Sequence, residues 1–131
     1  MLFRSPNRVS LLLAVLEKRA GLLFSDKDVF ANVVGGVRLE EPAADLATAL
    51  ALASSLREVP VASNLVAFGE MGLAGEVRAV DMPRQRVAEA SKFGFARCII
   101  PKSCVADVDG NDVDILPVSG IAQAIEFALE G

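Results

Sequence analysis

A chain of 131 residues, 53% hydrophobic and 23% charged, is long enough to bury one core without disulfides or metal and too apolar to be disordered. Its mean hydropathy is +0.45, yet it lacks the uninterrupted apolar run of about 18 residues that a membrane-spanning helix needs. With no His, the chain has no Ser-His or Cys-His base, no His-ligated zinc and no histidine pH switch; the formal net charge is −4.

In chain order, Ser5 and Pro6 set an N-cap and a first turn, and Val9, Leu12, Leu13, Leu16 and Ala20 recur at helical spacing until Gly21. Asp28 to Val37 is rich in β-branched residues and holds Gly35-Gly36, which reads as a strand running into a turn. Pro42 opens a second helix. From Ala43 to Leu56 it is almost all Ala and Leu, broken by Asp45, Thr48, Ser54 and Ser55, so burial on more than one face is expected. Leu65 to Phe68 and Gly75 to Val80 read as two strands joined into a hairpin through the glycine-punctuated stretch Gly69 to Gly75.

Pro83 starts a third helix with Val87, Ala88 and Ser91 as its apolar face; Phe93-Gly94 closes it before the strand Arg97 to Ile100, which Pro101 ends. An acidic loop around Gly110, a short strand at Ile115-Leu116 and a final helix capped by Ser119, with Ile121, Ile125, Ala128 and Leu129 at helical spacing, complete the chain. The predicted order is α-β-α-β-β-α-β-β-α in a single domain, residues 1–131, with no repeat or linker. Phe24, Phe30, Phe68, Phe93, Phe95 and Phe127 sit among aliphatic neighbours and are assigned to the core, so no aromatic stacking surface is expected. Cys98 and Cys104 have neither CxxC nor zinc spacing and read as free thiols. No secretory leader is legible at Met1 to Arg4, and the chain reads as cytoplasmic.

Candidate chemistry thins out on inspection. Asp107, Asp109 and Asn111 begin like a calcium loop, but Gly110 falls at the wrong position and Val118 stands where the last acidic ligand belongs, so a solvated acidic turn is the better reading and no metal is expected. Gly35-Gly36 belongs to no phosphate-cradling motif, and Glu40-Glu41 would repel an anion there. Ser54 and Ser55 lie inside a helix, where hydroxyls bonding back to helix carbonyls explain them better than nucleophilic catalysis. Charge is unevenly spread: residues 78–102 hold Arg78, Arg84, Arg86, Lys92, Arg97 and Lys102 against Asp81 and Glu89. A locally basic face of this kind can bind a phosphate backbone on an acidic protein, because screening confines fields to about 8–10 Å. Its DNA-contacting candidates are Arg78, Arg84, Arg86, Lys92 and Lys102.

Several blocks together resemble one family. Asn7-Arg-Val-Ser-Leu-Leu-Leu-Ala-Val-Leu-Glu-Lys-Arg19, Asp28-Val-Phe-Ala-Asn-Val-Val-Gly-Gly36, Asp45-Leu-Ala47, Ala53-Ser-Ser55, Phe68-Gly-Glu-Met-Gly-Leu-Ala-Gly-Glu-Val-Arg78 and Ile99-Ile-Pro101 look like the C-terminal domain of the bacterial RadA (Sms) family. That resemblance implies an α+β Lon-protease-like domain, of the ribosomal protein S5 domain 2-like fold, with a mixed sheet packed against helices. It implies further strands upstream of the Asn7 helix; Met1 to Pro6 does not resemble them, so the chain is expected to be a C-terminal fragment lacking its N-terminal strands.

The family is a RecA-like ATPase of recombinational DNA repair and branch migration. Its implied partners are DNA, single-stranded or branched, and copies of itself, as a hexameric ring in the family and a dimer or ring for this piece; no membrane partner is implied. ATP and zinc are expected only in upstream domains, with no cofactor in this chain. The likeness to Lon also implies where a Ser-Lys dyad would fall. Ala43 stands in the serine position and Arg84 in the lysine position, and alanine offers no nucleophile while arginine cannot act as a neutral base. The resemblance therefore implies a pseudo-protease. The alternatives are a Lon-like serine peptidase, or the Lon-like domain of a ComM or magnesium-chelatase-like protein, against which Asn7 to Arg19 argues.

Overall fold

A computed structural model describes residues 41–108 and 112–129. The predicted first helix and the strand at 28–37 lie outside the described residues. Pro42, with its φ preset for a helical turn, opens a short 3-10 turn, Pro42–Ala44, that runs straight into helix α1, Asp45–Arg57. Then come β1 (Leu65–Ala67), β2 (Glu70–Met71), β3 (Val77–Arg78), α2 (Pro83–Lys92), β4 (Arg97–Pro101), a 3-10 segment (Lys102–Asp107), β5 (Asp114–Val118) and α3 (Ile121–Ala128).

The main sheet has the order β1-β4-β5 and is parallel throughout, with Ala67 opposite Ile99 and Ile99 opposite Leu116. Side chains alternate across a strand, and this register turns alternate residues into two different cores. Leu65, Ala67, Ile99, Leu116 and Val118 face α1 and α3, packing with Leu46, Leu50, Ile121 and Ile125. Val66, Cys98, Ile100 and Ile115 face the other way, toward Phe68, Val87 and Cys104 from the side carrying α2 and the second 3-10 segment. The result is three layers: two helices, a short parallel sheet, then one helix with a 3-10 turn.

β2 and β3 form a separate antiparallel ribbon, Glu70 opposite Arg78 and Met71 opposite Val77. It is stitched to the start of α3, where Val77 donates its N–H to Ser119 O and Ile121 donates to Gly75 O, both at 2.9 Å. The α+β class expected from the RadA resemblance is the class observed, and both proline-led helices start where the sequence placed them.

Five local expectations are corrected. The hairpin does not join Leu65–Phe68 to Gly75–Val80; β1 pairs in parallel with β4, and the hairpin partners of Val77 and Arg78 are Met71 and Glu70, inside the glycine-rich stretch itself. Phe93 is 73% exposed and Phe95 38% exposed, because α2 ends at the protein surface, so neither is a buried core residue. The buried residues of α2 are Val87 and Ala90, with Ala88 facing solvent. Gly120, not Ser119, is the N-cap of α3, and no side chain caps it. Ser54 bonds forward, its hydroxyl donating to Val59 O at 2.6 Å while Val59 N–H donates to Ser54 O at 3.1 Å.

That exchange closes α1 with Glu58 in the left-handed region, φ 56°, a position that usually takes glycine. α2 closes the same way, with Gly94 at φ 89° and Phe95 N–H reaching back to Ala90 O at 3.0 Å. Both cysteines are free, as expected, and both are buried. Removal from water pushes the Cys98 thiol up to about 12.

Candidate functional site

The turn that carries Ala43 is held from both sides by one residue. Gly69 donates its N–H to Ala43 O at 3.0 Å, and Gly69 O accepts the N–H of Leu46 at 3.0 Å. A Cβ placed on Gly69 would lie 2.7 Å from Val77 Cγ1, so only glycine lets the turn, the ribbon and the sheet end meet this closely. Asp45, 2% exposed at the first position of α1, accepts the N–H of Met71 at 3.0 Å and pins the ribbon to the helix start. The carboxylate also suits the positive end of the α1 dipole.

Two open hollows flank this turn and share Glu41 and Ala43. One, about 300 Å³, is lined by Glu41, Pro42, Ala43, Glu70, Ala79, Val80 and Asp81. The other, about 390 Å³, runs along Ala44, Ala47, Val66, Ala67 and Phe68 to Arg86 and Glu89. Ala43 is buried, 5% exposed, and brings only a methyl group to their junction.

Arg86 supplies the cation there. Its Nη2 donates to Glu41 Oε2 at 2.7 Å and to Asp81 Oδ1 at 2.8 Å, its Nε donates to Asp81 O at 2.8 Å, and its Cζ lies 5.9 Å from the Phe68 ring centroid. The Glu41 carboxylate, with Asp81 behind it, pushes the Arg86 pKa up from an already high value, so this group stays a cation at every working pH. Both carboxylates are largely exposed, and each pair therefore contributes only about 1 kcal/mol or less.

The structure separates the sequence candidates. Arg84, the residue expected in the lysine position, lines neither hollow; it is exposed, and its Nε reaches toward Asp107 O at a long 3.4 Å. Arg84, Ala88 and Lys92 form one exposed stripe along α2, with the two cations about 12 Å apart at 1.5 Å per residue. Lys102 is exposed at the start of the second 3-10 segment. Among the described residues no ion pair engages Arg84, Lys92 or Lys102. Arg78 is different, because its guanidinium donates twice to Glu76 Oε2, at 2.7 and 3.0 Å. Glu76's own backbone N–H and then Arg78 hold that carboxyl below the usual range.

The centre of the acidic loop, 109–111, lies outside the described residues, and among those described no group of three or more acidic or cysteine side chains could hold a metal. Likewise, no described helix is long and apolar enough to cross a membrane. Sequence reasoning missed Glu41, Glu70 and Phe68 as parts of a site. Glu41 sits 45 residues from Arg86, and the available signal was its position two residues before Ala43.

The fold and this alanine-floored turn define a Lon-like α+β domain without the side chains of a Ser-Lys dyad at the two expected positions. The family model described as "Subunit ChlI of Mg-chelatase" matches residues 5–104. The chain belongs to that family, in the form carried by RadA proteins. It is 52% identical over 121 residues to the DNA repair protein RadA of Aquifex aeolicus, covering 92% of this chain and 27% of the relative. It is 48% identical to that of Salmonella typhimurium over 91% of the chain and 26% of the relative, and 47% identical to that of Bacillus subtilis over 95% and 28%. The chain thus spans about a quarter of the length of the curated relatives it matches. The family model bears the name of one rival reading, magnesium chelatase, while these three relatives bear the name DNA repair protein RadA.

Proposed function

We propose that this chain is the non-catalytic Lon-like domain of a DNA-repair ATPase of the RadA type, serving self-assembly and presenting a surface to DNA during branch migration. The observation that carries the DNA part is the stripe Arg84–Ala88–Lys92, exposed, free of ion pairs among the described residues, and found in a chain whose relatives are named DNA repair proteins. Lys102 extends the exposed cationic set, whereas Arg78 and Arg86 are already engaged by carboxylates. Phosphate contacts of this kind position a duplex or a single strand without reading its bases. The non-catalytic part rests on Ala43 and on the orientation of Arg84, since a hydrolase needs both a nucleophile and a group to activate it.

Fluorescence anisotropy with labelled single-stranded and duplex DNA tests the reading. With three or four phosphate contacts, duplex affinity should fall about 40- to 150-fold between 50 and 200 mM salt. Arg84→Ala with Lys92→Ala should remove most of the binding and flatten that dependence, while Arg78→Ala should change it little. Equal binding by wild type and the double variant would remove α2 from the DNA surface.

A further inference from the structure

We infer that the cleft on either side of Ala43 is a docking site for a basic protein segment, an extended stretch carrying arginine or lysine between small apolar residues. This does not rest on the DNA reading, because neither Arg84 nor Lys92 lines the cleft. Its two hollows, about 300 and 390 Å³, share a floor at Ala43 and fall in the size range of ligand sites. The walls are apolar on both sides, with Val80 and Pro42 in one hollow and Val66 and Phe68 in the other.

The rim is acidic: Glu41, Glu70, Asp81 and Glu89 surround it, and Arg86 is the one cation among the lining residues. Such a rim repels phosphate and attracts a cation, and apolar walls beneath it suit the methylene stem of a long basic side chain. The structure shows the recognition once already, within the chain. The Arg86 guanidinium lies between Glu41 and Asp81 and over the Phe68 ring, so carboxylates at this edge are placed to hold a guanidinium. Glu70 and Glu89 have no ion pair among the described residues and are the groups left to hold an incoming one. A floor without a nucleophile means that a bound segment is retained and not cleaved.

The test is fluorescence polarisation with the whole 131-residue chain and a fluorescein-labelled nonapeptide of alternating Ala and Val carrying two arginines, compared with the same peptide carrying glutamines. The arginine peptide should bind at least about tenfold more tightly. Glu70→Gln with Glu89→Gln should weaken it about tenfold, while Asp112→Asn with Asp114→Asn, the same charge change outside the cleft, should change it less than about twofold. All four positions are at or near the surface, and a thermal melt checks that each variant stays folded. The Arg84→Ala, Lys92→Ala variant should bind the peptide like wild type, which separates this site from the DNA surface. Equal loss in the two carboxylate variants would reduce the binding to general attraction by an acidic protein and overturn the inference. So would equal binding of the glutamine peptide.

Discussion

Gly69→Ala tests how the Ala43 turn is held. The added Cβ would fall 2.7 Å from Val77 Cγ1, 3.4 Å from Pro101 Cγ and 3.5 Å from Leu46 Cδ2. Val77 is buried and β-branched, so it has little rotational freedom to give way. The glycine cannot retreat either, because its N–H is bonded to Ala43 and its carbonyl to Leu46. Overpacking a site of this kind costs about 1–3 kcal/mol, and pinning from both sides places Gly69→Ala in the upper half of that range. With a urea slope of about 1–3 kcal/mol per molar, the unfolding midpoint should drop by about 0.7–3 M.

The decisive measurement is a double-variant cycle. Val77→Ala alone loses buried volume and destabilises by about 1.5–2.5 kcal/mol, but it also removes the atom the new methyl meets. The two changes together should therefore cost about 1–2 kcal/mol less than their sum. Gly94→Ala is the control: a Cβ there meets nothing within 4 Å, so only its left-handed backbone resists, costing about 1 kcal/mol that Val77→Ala does not relieve. Additive costs for Gly69→Ala and Val77→Ala would refute the packing described at this turn.

Glu58→Gly should stabilise the domain by about 0.5–1 kcal/mol in urea titration, since Glu58 is exposed and held at φ 56° with no glycine to absorb the strain. For Cys98 the folded thiol titrates at about 12 against 9.0 for an unperturbed one. Its folded pKa is raised, so its contribution is intact below pH 9 and is lost as pH climbs toward 12, at up to about 1.4 kcal/mol per pH unit; Cys98→Ala should flatten that part of the stability profile. Introducing the dyad residues by Ala43→Ser and Arg84→Lys should produce no cleavage of casein, because residue 84 lines neither hollow beside Ala43 and Arg86 remains a cation; measurable hydrolysis would show that the α2 register has been misplaced.

What could be read from the sequence was what is encoded locally. Pro42 and Pro83 mark helix starts because a fixed φ and a missing N–H suit a first turn wherever it lies, and both helices begin there. The pairing of β1 could not be read this way. Its partner β4 begins at Arg97, opposite Leu65, and a parallel partner more than thirty residues away leaves no mark in local spacing. The true hairpin was hidden for the opposite reason, because Glu70 and Met71 sit inside a glycine-rich stretch that reads as turn throughout. Phe93 misled through its aliphatic neighbours, since nothing in those neighbours says that the helix ends in solvent. At the site, the sequence offered Arg84, Arg86 and Lys92 together as one basic set. What turns Arg86 inward is Glu41, 45 residues earlier, together with Asp81 and the Phe68 ring, and only the fold brings these together.

α2 therefore carries two kinds of chemistry on one short helix. Arg84 and Lys92 look outward, while Arg86, about 200° from Arg84 around the axis, belongs to an acidic cleft. The faces are separated by roughly a helix diameter of about 10 Å, close to the screening length at physiological salt. At that salt each face presents its own sign to a ligand. At low salt the screening length grows to about 30 Å at 0.01 M, and a phosphate backbone approaching the stripe would then also feel Glu41, Glu70, Asp81 and Glu89. DNA affinity should consequently rise less steeply on dilution below about 50 mM than the number of phosphate contacts alone dictates. The same reasoning makes Glu70→Gln neutral for DNA binding at physiological salt and favourable to it at low salt, whereas Glu89→Gln, three residues before Lys92 on the same helix, favours it at both.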